Sequence, residues 1–415
     1  MISNVGNPKK DNNNNLVIKP SELKKKMDNG DDFLILDVRT KQEHDMWSMS
    51  YDKYKDSTLI PIDTLMLNES LKKLPKDKEI IAFCAHGQRS SFAASALSSL
   101  GYNVRTVEGG LAEWSNVYDV VPIEINESIP LRIWQIRRIS KGCMSYVIAS
   151  ARDKSAVILD PTCGVESIID NLRTDYQLTI KRVIDTHMHA DHLSGSTKIA
   201  YKYNAELNIS SVENYSMENI PQEYQSKIIR ISDDDKIIIG DGLFLTAIHT
   251  PGHTDGSISY ALDIDSNSQQ NIVSSNGDIQ TSSHSCFLFT GDTIFVNGVG
   301  RPDLHNKAQE YTSKLYHTYK NKIFSLPDNT IVLPSHYSES FEHDKPIFNT
   351  LQSIKQKLLD ITHSENSFTD YIASNIPAQP MNYGRIVKLN KSLISCEKVF
   401  YNDLEAGPNS CGIKT

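Results

Sequence analysis

Four potential metal ligands lie within six residues near the middle of the chain, and they constrain the fold more than any other feature. The segment KRVIDTHMHADHLSGS places His187, His189, Asp191 and His192 directly after an apolar strand. Residues two apart in an extended backbone project to the same side, so His187 and His189 can face one ion. Asp191 and His192 then turn with the chain toward a neighbouring position. The spacing predicts a metal centre at the end of a strand.

Three more candidate ligands lie in later segments, each at a predicted strand end or turn. His253 lies in HTPGHTDGS, Asp292 in FLFTGDTIF and His336 in VLPSHYS. Imidazole and carboxylate groups suit several metals, so these residues predict a mononuclear or dinuclear site without identifying the ion. Arg301 and Asp303, in GVGRPDL, are expected either to form a structural ion pair or to help position the site.

A second chemical site is predicted around a cysteine. The segment IIAFCAHGQRSSFAASALSSLGY indicates a buried strand, a short loop that opens on Cys84, and a helix that ends at Gly101. A thiol at a helix N-terminus faces unpaired N–H groups and the positive end of the helix dipole, and Arg89 adds a positive charge. Cys84 is therefore expected to be nucleophilic. Gly87 allows the loop to curl into a cradle for a persulfide, sulfite or phosphate group.

The chain, at 415 residues, is long enough for two or three domains. Residues 1–15 are polar and Asn-rich and are predicted to be a disordered tail. Residues 16–118 alternate apolar runs with amphipathic stretches, which predicts an α/β domain with a mostly parallel sheet. Residues 119–132 are predicted to form a linker. Residues 133–415 predict an α+β sandwich of two sheets with a C-terminal helical and irregular extension, and the Ser/Asn/Gln-rich residues 265–285 are predicted to be a surface loop.

Composition argues against several partners and locations. The formal net charge of −8 makes the chain a poor partner for nucleic acid. The longest apolar run, residues 80–85, is far shorter than the roughly 18 residues that a membrane span needs, so no membrane partner is expected. The first residues lack the features of secretory and mitochondrial leaders, which predicts a cytoplasmic protein. The six cysteines are scattered without C-x-x-C pairs, so each is expected to be a free thiol.

The cysteine segment resembles a known active-site loop. CAHGQRS, from Cys84, is similar to the loop of rhodanese sulfurtransferases, and LDVRTKQEH and VEGGLAEW resemble that family's flanking signatures. The resemblance covers residues 16–118. It implies a rhodanese-like domain in which Cys84 carries sulfur as a persulfide and Arg89 binds the anion. The four residues between them resemble the rhodanese loop rather than the longer loop of cysteine phosphatases. After EH the family's usual Gly-His-Ile-x-Gly stretch is replaced by DMWSMSYDKYKDSTLIPI, so a non-catalytic sensor or docking module stays an alternative.

THMHADH, PGHT, GD and the late histidine together resemble the metallo-β-lactamase superfamily over residues 131–340, which implies an αββα sandwich. Within it, THMHADHLSGS and GDTIFVNGVGRPDL resemble persulfide dioxygenases of the ethylmalonic-encephalopathy-protein type, with the related glyoxalase II hydrolases as the alternative. The dioxygenase resemblance implies one Fe(II) held by His187, His253 and Asp292. The remaining candidates would surround the iron or bind a second metal: His189, Asp191, His192 and His336.

The resemblance to dioxygenases implies that a low-molecular-weight persulfide, RSSH, is oxidised by O2 to sulfite and thiol, coupled to sulfur transfer through a Cys84 persulfide. Two imidazoles and one carboxylate on one face of Fe(II) would leave positions for the persulfide and O2. The alternative is a dizinc hydrolase that activates water against a hydroxyacyl thioester. The sequence does not identify the thiol carrier, which could be glutathione, coenzyme A or another thiol. It also leaves open the direction of sulfur flow, sulfite conversion to thiosulfate and the oligomeric state.

Overall fold

The structure of the chain is a computed structural model. It describes residues 16–49, 51–54, 56–125, 129–264, 287–304, 307–337, 342–379, 381–407 and 411–414. The predicted tail at residues 1–15 and the predicted loop at residues 265–285 lie outside this described part. The chain divides into two units, Met1–Val117 and Tyr118–Thr415.

The first unit is built on one parallel sheet. Its strands are β1 Val17–Ile18, β2 Phe33–Asp37, β3 Thr58–Leu59, β4 Glu79–Phe83 and β5 Val104–Val107. Its helices are α1 Pro20–Asp28, α2 Lys41–Met46, α3 Asn68–Leu71, α4 Gln88–Ser99 and α5 Gly110–Trp114, with a 3-10 turn at Ile62–Thr64. The strand order is β1-β5-β4-β2-β3 and all pairs are parallel. The central strands β2 and β4 are almost continuously apolar because a parallel sheet is covered on both faces, and the predicted α/β fold is confirmed.

The second unit contains three sheets. Its strands are β6 Tyr118–Ile123, β7 Leu131–Arg138, β8 Cys143–Ser150, β9 Ser155–Leu159, β10 Thr179–Ile184, β11 Glu206–Ser210, β12 Ile228–Ile231, β13 Lys236–Gly240, β14 Leu243–His249, β15 Ile258–Ile264, β16 Phe287–Gly291, β17 Ile294–Phe295, β18 Gly298–Gly300, β19 Ile331–Pro334, β20 Asn349–Thr350 and β21 Gly412–Lys414. The orders are β12-β11-β10-β9-β8-β7-β6, β13-β14-β15-β16-β19-β20 and β17-β18-β21.

Helices cover the outer faces of the two large sheets. They are α6 Glu166–Tyr176, α7 Ser196–Tyr203, α8 Gln222–Gln225, α9 Ala308–Thr318, α10 Leu351–Lys357, α11 Leu359–Thr362, α12 Glu365–Asn375, α13 Tyr383–Lys391 and α14 Tyr401–Leu404, with a π turn at Tyr319–Ile323 and a 3-10 turn at Cys396–Lys398. The inner faces share one apolar core, in which the rings of Tyr146 and Phe289 meet edge to face at 5.0 Å. Separate clusters lie under α6 and α7 and under α9 and α12. This layering confirms the predicted αββα sandwich.

The predicted linker at residues 119–132 contains most of a strand. Strand β6 pairs antiparallel with β7 over its whole length, from Tyr118 opposite Arg138 to Ile123 opposite Ile133. It lies at the end of the sheet, where a proline such as Pro122 is tolerated because an edge strand leaves one row of N–H groups unused. An edge strand with a proline therefore has the composition of a connector.

One expectation about the cysteines is wrong. Cys163 and Cys396 form a disulfide across 233 residues of sequence, so they are not free thiols. The bridge joins the loop between β9 and α6 to the turn after α13, and no local spacing announces a pairing over that distance. Cys84, Cys143 and Cys411 are buried and are not disulfide-bonded. Within the described part of the chain, no helix is both long and apolar enough to cross a bilayer.

Candidate metal centre and cysteine loop

Three of the predicted ligands come together from three distant segments. His187 follows strand β10, His253 follows β14 and Asp292 follows β16, so each lies beyond the C-terminal end of a strand. Asp292 Oδ2 is 3.6 Å from His187 Nε2 and 3.7 Å from His253 Nε2. One donor atom from each residue lies within 4.8 Å of the others. This spacing is suited to three ligands of a single ion.

The donor atoms of this cluster fit a metal. His187 Nε2 and Asp292 Oδ2 are buried, and neither has a hydrogen-bond partner among the residues that the structure describes. An unsatisfied buried polar atom is costly, and a bound ion would satisfy both of them. Burial, together with the neighbouring His189 and His253, holds the pKa of His187 well below its ordinary value. The ring is therefore neutral, which is the form that binds metals.

The other ring nitrogen of each histidine is held in place. His253 Nδ1 is 2.8 Å from the carbonyl oxygen of Arg301, and His187 Nδ1 is 2.9 Å from Thr186 Oγ1. Such contacts fix the orientation of a metal-binding imidazole. They direct Nε2 of both rings toward Asp292.

Arg301 and Asp303 form a partly buried ion pair. The guanidinium donates to both Asp303 oxygens at 2.7 and 2.8 Å, and to the carbonyls of Pro377 and Ala378 at 2.8 and 3.1 Å. The Arg301 side chain thereby ties the loop after β18 to the C-terminal extension, while its carbonyl faces His253. A structural ion pair and a role in positioning the site are therefore compatible for Arg301.

A second group of candidate ligands adjoins the first. Cys143, Asp191, His192 and His336 offer donor atoms within 4.8 Å of one another. His336 bridges two carboxylates, with Nδ1 2.7 Å from Asp292 Oδ1 and Nε2 3.1 Å from Asp191 Oδ2. Burial opposes the charged form of His336, but these two carboxylates outweigh it and hold its pKa well above the ordinary value. His336 of the second group therefore contacts Asp292 of the first group directly.

His189 faces a different carboxylate from the other ligands. Its Nε2 is 3.4 Å from Asp160 Oδ1. Asp160 is itself fixed by Thr186, which donates its N–H at 2.7 Å and its hydroxyl at 2.8 Å, and by the hydroxyl of Ser335. Asp160, His187 and His189 form a third group of possible ligands.

Sequence reasoning missed three side chains of this centre. Asp160 follows the apolar strand β9 in SAVILDP, the same setting as Asp292, and that position is the signal that could have found it. Cys143, at the start of β8, and Cys411, within 4.8 Å of Asp292 and His336, are buried cysteines whose local sequence carries no ligand pattern.

The cysteine loop has the predicted strand–loop–helix form. Cys84 follows β4, and its Sγ accepts from Gly87 N at 3.1 Å, Ser90 N at 3.4 Å and Ser90 Oγ at 3.5 Å. Gly87 caps helix α4 with a φ of +87°, a conformation that glycine adopts without strain. Donors aimed at the sulfur favour negative charge on it.

Arg89 lies beside this loop, and its guanidinium is bound to a residue that sequence reasoning did not single out. Glu43 of helix α2 accepts a hydrogen bond from each terminal nitrogen of the Arg89 guanidinium. The Arg89 contact is the largest influence on Glu43 and lowers the pKa of its carboxyl from 4.5 to about 2. The predicted anion-binding arginine is therefore paired with an anion of the chain itself.

The start of helix α5 is hydrogen-bonded to the cysteine loop. Leu111 N donates to Cys84 O at 2.8 Å and Ala112 N donates to Ala85 O at 3.0 Å. This close approach requires Gly110, because a Cβ there would lie 2.3 Å from Cys84 O. The VEGG segment thus has a packing role at the site.

Two parts of the chain match family models of known proteins. Residues 19–117 match the rhodanese-like domain model, and residues 140–266 match the metallo-beta-lactamase superfamily model. The first range contains the cysteine loop. The second contains the ligand candidates up to His253, whereas Asp292 and His336 lie beyond it.

Individual relatives differ in their named activities. The chain is 27% identical over 232 residues to the hydroxyacylglutathione hydrolase of Dictyostelium discoideum, covering 53% of this chain and 75% of that protein. It is 27% identical over 206 residues to the mitochondrial persulfide dioxygenase ETHE1 of Bos taurus, covering 47% of this chain and 65% of that protein. A crystal structure of a metallo-beta-lactamase from Staphylococcus aureus is similar with a TM-score of 0.52 and 27% identity, covering 64% of this chain and 73% of that one.

Proposed function

We propose that this chain, in which a rhodanese-like domain is followed by a metallo-beta-lactamase domain, is a persulfide dioxygenase with an associated sulfurtransferase loop. In the proposed reaction RSSH, O2 and water give RSH, sulfite and two protons. The persulfide sulfur is oxidised and O2 is reduced. The substrate belongs to the class of low-molecular-weight thiol persulfides, with glutathione or coenzyme A as possible carriers.

The observation that carries the proposal is the approach of His187 Nε2, His253 Nε2 and Asp292 Oδ2 to one point. Two imidazoles and one carboxylate are typical of non-haem Fe(II) oxygenases. A bound Fe(II) would supply the one-electron chemistry that O2 activation needs and that zinc lacks. The similarity to a protein named persulfide dioxygenase supports the same assignment.

The residues of the chain hold and shield this centre. The Arg301 carbonyl and the Thr186 hydroxyl orient the two imidazoles. His187, His253 and Asp292 are each at most 1% exposed, so bulk water is excluded from the donor atoms. A dry site strengthens the electrostatic contacts within it and limits side reactions of the intermediates.

The cysteine loop supports a second step on the same substrate class. A Cys84 thiolate attacks the outer sulfur of thiosulfate, the S–S bond breaks, and sulfite leaves. The resulting Cys84 persulfide passes its outer sulfur to a thiol, which regenerates the thiolate and forms RSSH. The reverse sequence would convert the sulfite made by the dioxygenase into thiosulfate. The Gly87 and Ser90 amides are placed to stabilise negative charge on the sulfur in either direction.

Metal analysis combined with an oxygen electrode tests the dioxygenase. We expect one iron per chain and O2 uptake that depends on added glutathione persulfide, both lost in His187→Ala. Asn219→Ala, a change outside the donor groups, is the matched control and should keep both. Two zinc ions per chain in protein that consumes no O2 with persulfide would overturn the proposal.

One observation favours a second candidate function, hydrolysis of a hydroxyacyl thioester by a dizinc centre. The group of Cys143, Asp191, His192 and His336 adjoins the first group, as a dinuclear site requires. The similarity to a hydroxyacylglutathione hydrolase points the same way. This candidate predicts thiol release from S-lactoylglutathione without O2 uptake, so the same preparation separates the two.

The sulfurtransferase step has its own test. Cys84→Ser should abolish the formation of persulfide from thiosulfate and a thiol acceptor, while O2 uptake with added persulfide stays unchanged. If sulfur exchange survives in Cys84→Ser, the first domain is a non-catalytic sensor or docking module.

A further inference from the structure

Four of the candidate metal ligands lie on one irregular segment that cannot satisfy its own backbone. Residues 187–195, here named the metal loop, connect β10 to α7 and lie in neither a helix nor a strand. Buried peptide groups in such a segment need partners from elsewhere in the protein. The structure places those partners near the other end of the chain.

Asn390, on helix α13, binds three backbone groups of the metal loop. Its Nδ2 donates to the carbonyls of His189 and His192 at 2.8 and 2.9 Å. Its Oδ1 accepts from Ser194 N at 3.0 Å. Both Nδ2 protons and one oxygen lone pair of this buried side chain are thus used by one loop. Both bonded carbonyls belong to candidate metal ligands.

Glu405, in the same C-terminal extension, makes further contacts with the metal loop. Glu405 Oε1 accepts from Leu193 N at 2.8 Å, and its other carboxylate oxygen is paired with Arg138. Lys141 donates to the Glu405 carbonyl at 2.5 Å and to the Asp191 carbonyl at 3.4 Å. The metal loop is therefore held on several backbone groups by residues that follow it by about 200 positions.

A covalent bridge fixes the extension between these two contacts. Cys396, which is bridged to Cys163, lies in sequence between Asn390 and Glu405. Both sulfurs pack in a small apolar cluster with Leu193 of the metal loop and with Ile386 of α13. The helix that carries Asn390 is thus tied to the β9–α6 loop.

We infer that Asn390 is a positioning residue of the metal centre: its side-chain amide fixes the backbone of His189, His192 and Ser194, so that the ligands of the metal loop are preorganised for the ion. The inference rests on the metal centre of the proposed function, but it does not depend on which metal binds or which reaction follows. Loss of an outer-shell partner typically weakens metal binding by about 10- to 100-fold.

Two variants distinguish the donor role of Asn390 Nδ2 from the acceptor role of Asn390 Oδ1. Asn390→Asp has nearly the same shape and keeps the acceptor for Ser194 N, but it places an oxygen against two carbonyls. Asn390→Gln keeps the amide on a longer stem and is the conservative rescue. Asn219→Asp is the matched control, because Asn219 Nδ2 donates to Ser392 O at 2.9 Å and so contacts the extension rather than the metal loop.

The experiment measures metal affinity on the full chain by chelator competition, with Fe(II) under anaerobic conditions and with Zn(II). Hydrogen exchange of the metal loop and the Tm of the metal-free protein are measured in parallel. We expect Asn390→Asp to raise the Kd for both ions about 10- to 100-fold and to speed exchange in the metal loop. Asn390→Gln should recover part of the metal affinity. Asn219→Asp should change neither the Kd nor the hydrogen exchange of the metal loop.

An unchanged Kd in Asn390→Asp overturns the inference, and so does an equal loss in Asn219→Asp. If Asn390→Asp fails to fold, Asn390→Ser carries the same measurement with the same two outcomes. A protein that binds metal but shows no persulfide-dependent O2 uptake refutes the proposed function and leaves the role of Asn390 intact.

Discussion

Arg89 donates to both carboxylate oxygens of Glu43, with Nη2 2.6 Å from Oε1 and Nη1 2.9 Å from Oε2. Glu43 also closes a capping box with Thr40 at the start of α2. About a third of each side chain of the ion pair is exposed, so the pair adds little to stability, on the order of 1 kcal/mol or less. Its main consequence is for anions, because it partly neutralises the charge beside Cys84.

Glu43→Gln should therefore strengthen the binding of an anionic sulfur donor. Removing the negative charge leaves Arg89 available, and we expect the KM for thiosulfate to fall about 2- to 5-fold, equivalent to the roughly 0.4–1 kcal/mol of an exposed ion pair. The kcat should change less. Steady-state sulfur transfer measures both, with Glu69→Gln, an exposed glutamate paired with Lys72, as the control. A rise in KM would mean that Glu43 orients Arg89 instead of competing for it.

The same pair predicts a pH dependence of stability. Hydrogen bonds from Arg89, and to a smaller extent from Thr40, lower the pKa of Glu43 from 4.5 to about 2, so the unfolded chain takes up the proton first as the pH falls. The stabilisation is fully present above the unfolded value and is lost as the pH falls toward the folded value. We expect the difference in free energy of unfolding between the wild type and Glu43→Gln to be constant from neutral pH to about 5 and to shrink below that. Urea denaturation at several pH values checks this, and a difference that grows on acidification would contradict it.

Gly110→Ala should disable the cysteine loop, whereas Gly101→Ala should not. Both glycines have positive φ, +63° and +82°, so both variants carry the backbone strain of a left-handed alanine, about 1 kcal/mol. Only at Gly110 would the new Cβ meet backbone, 2.3 Å from Cys84 O and 2.7 Å from Gly87 N, since nothing lies within 4 Å at Gly101. We expect sulfur transfer to fall at least tenfold in Gly110→Ala alone. Equal activity of the two variants would show that the loop does not depend on this close approach.

The fold followed from the sequence wherever the signal was local. The rhodanese-like and metallo-beta-lactamase domains were each predicted from a few adjacent residues, such as CAHGQRS and THMHADH, and both are confirmed. The structure also brings together His187, His253 and Asp292, although their roles stay predictions. Each follows an apolar strand, and strand ends meet at one edge of a sandwich.

What the sequence did not reveal depends on pairs of residues that are far apart. Nothing near Cys163 indicates Cys396, and nothing near Asn390 indicates the carbonyls of the metal loop. Glu43 lay inside a segment already compared with rhodaneses, but only the tertiary fold places it against Arg89. Single polar residues and cysteines have several common structural roles, so their partners become evident only once the chain is folded.

The Cys163–Cys396 bridge should stabilise both the fold and the metal loop. Because it closes a loop of 233 residues and holds the extension beside the metal loop, its loss should lower the free energy of unfolding by about 2–4 kcal/mol. The double variant Cys163→Ser/Cys396→Ser should also exchange faster in residues 187–195, since α13 loses its covalent anchor there. Urea denaturation and hydrogen exchange, each with and without a reductant, measure these effects. The reductant should destabilise the wild type and leave the double variant unchanged, because the remaining described cysteines form no disulfide. Equal responses of the two proteins would mean that the stabilisation does not come from this disulfide.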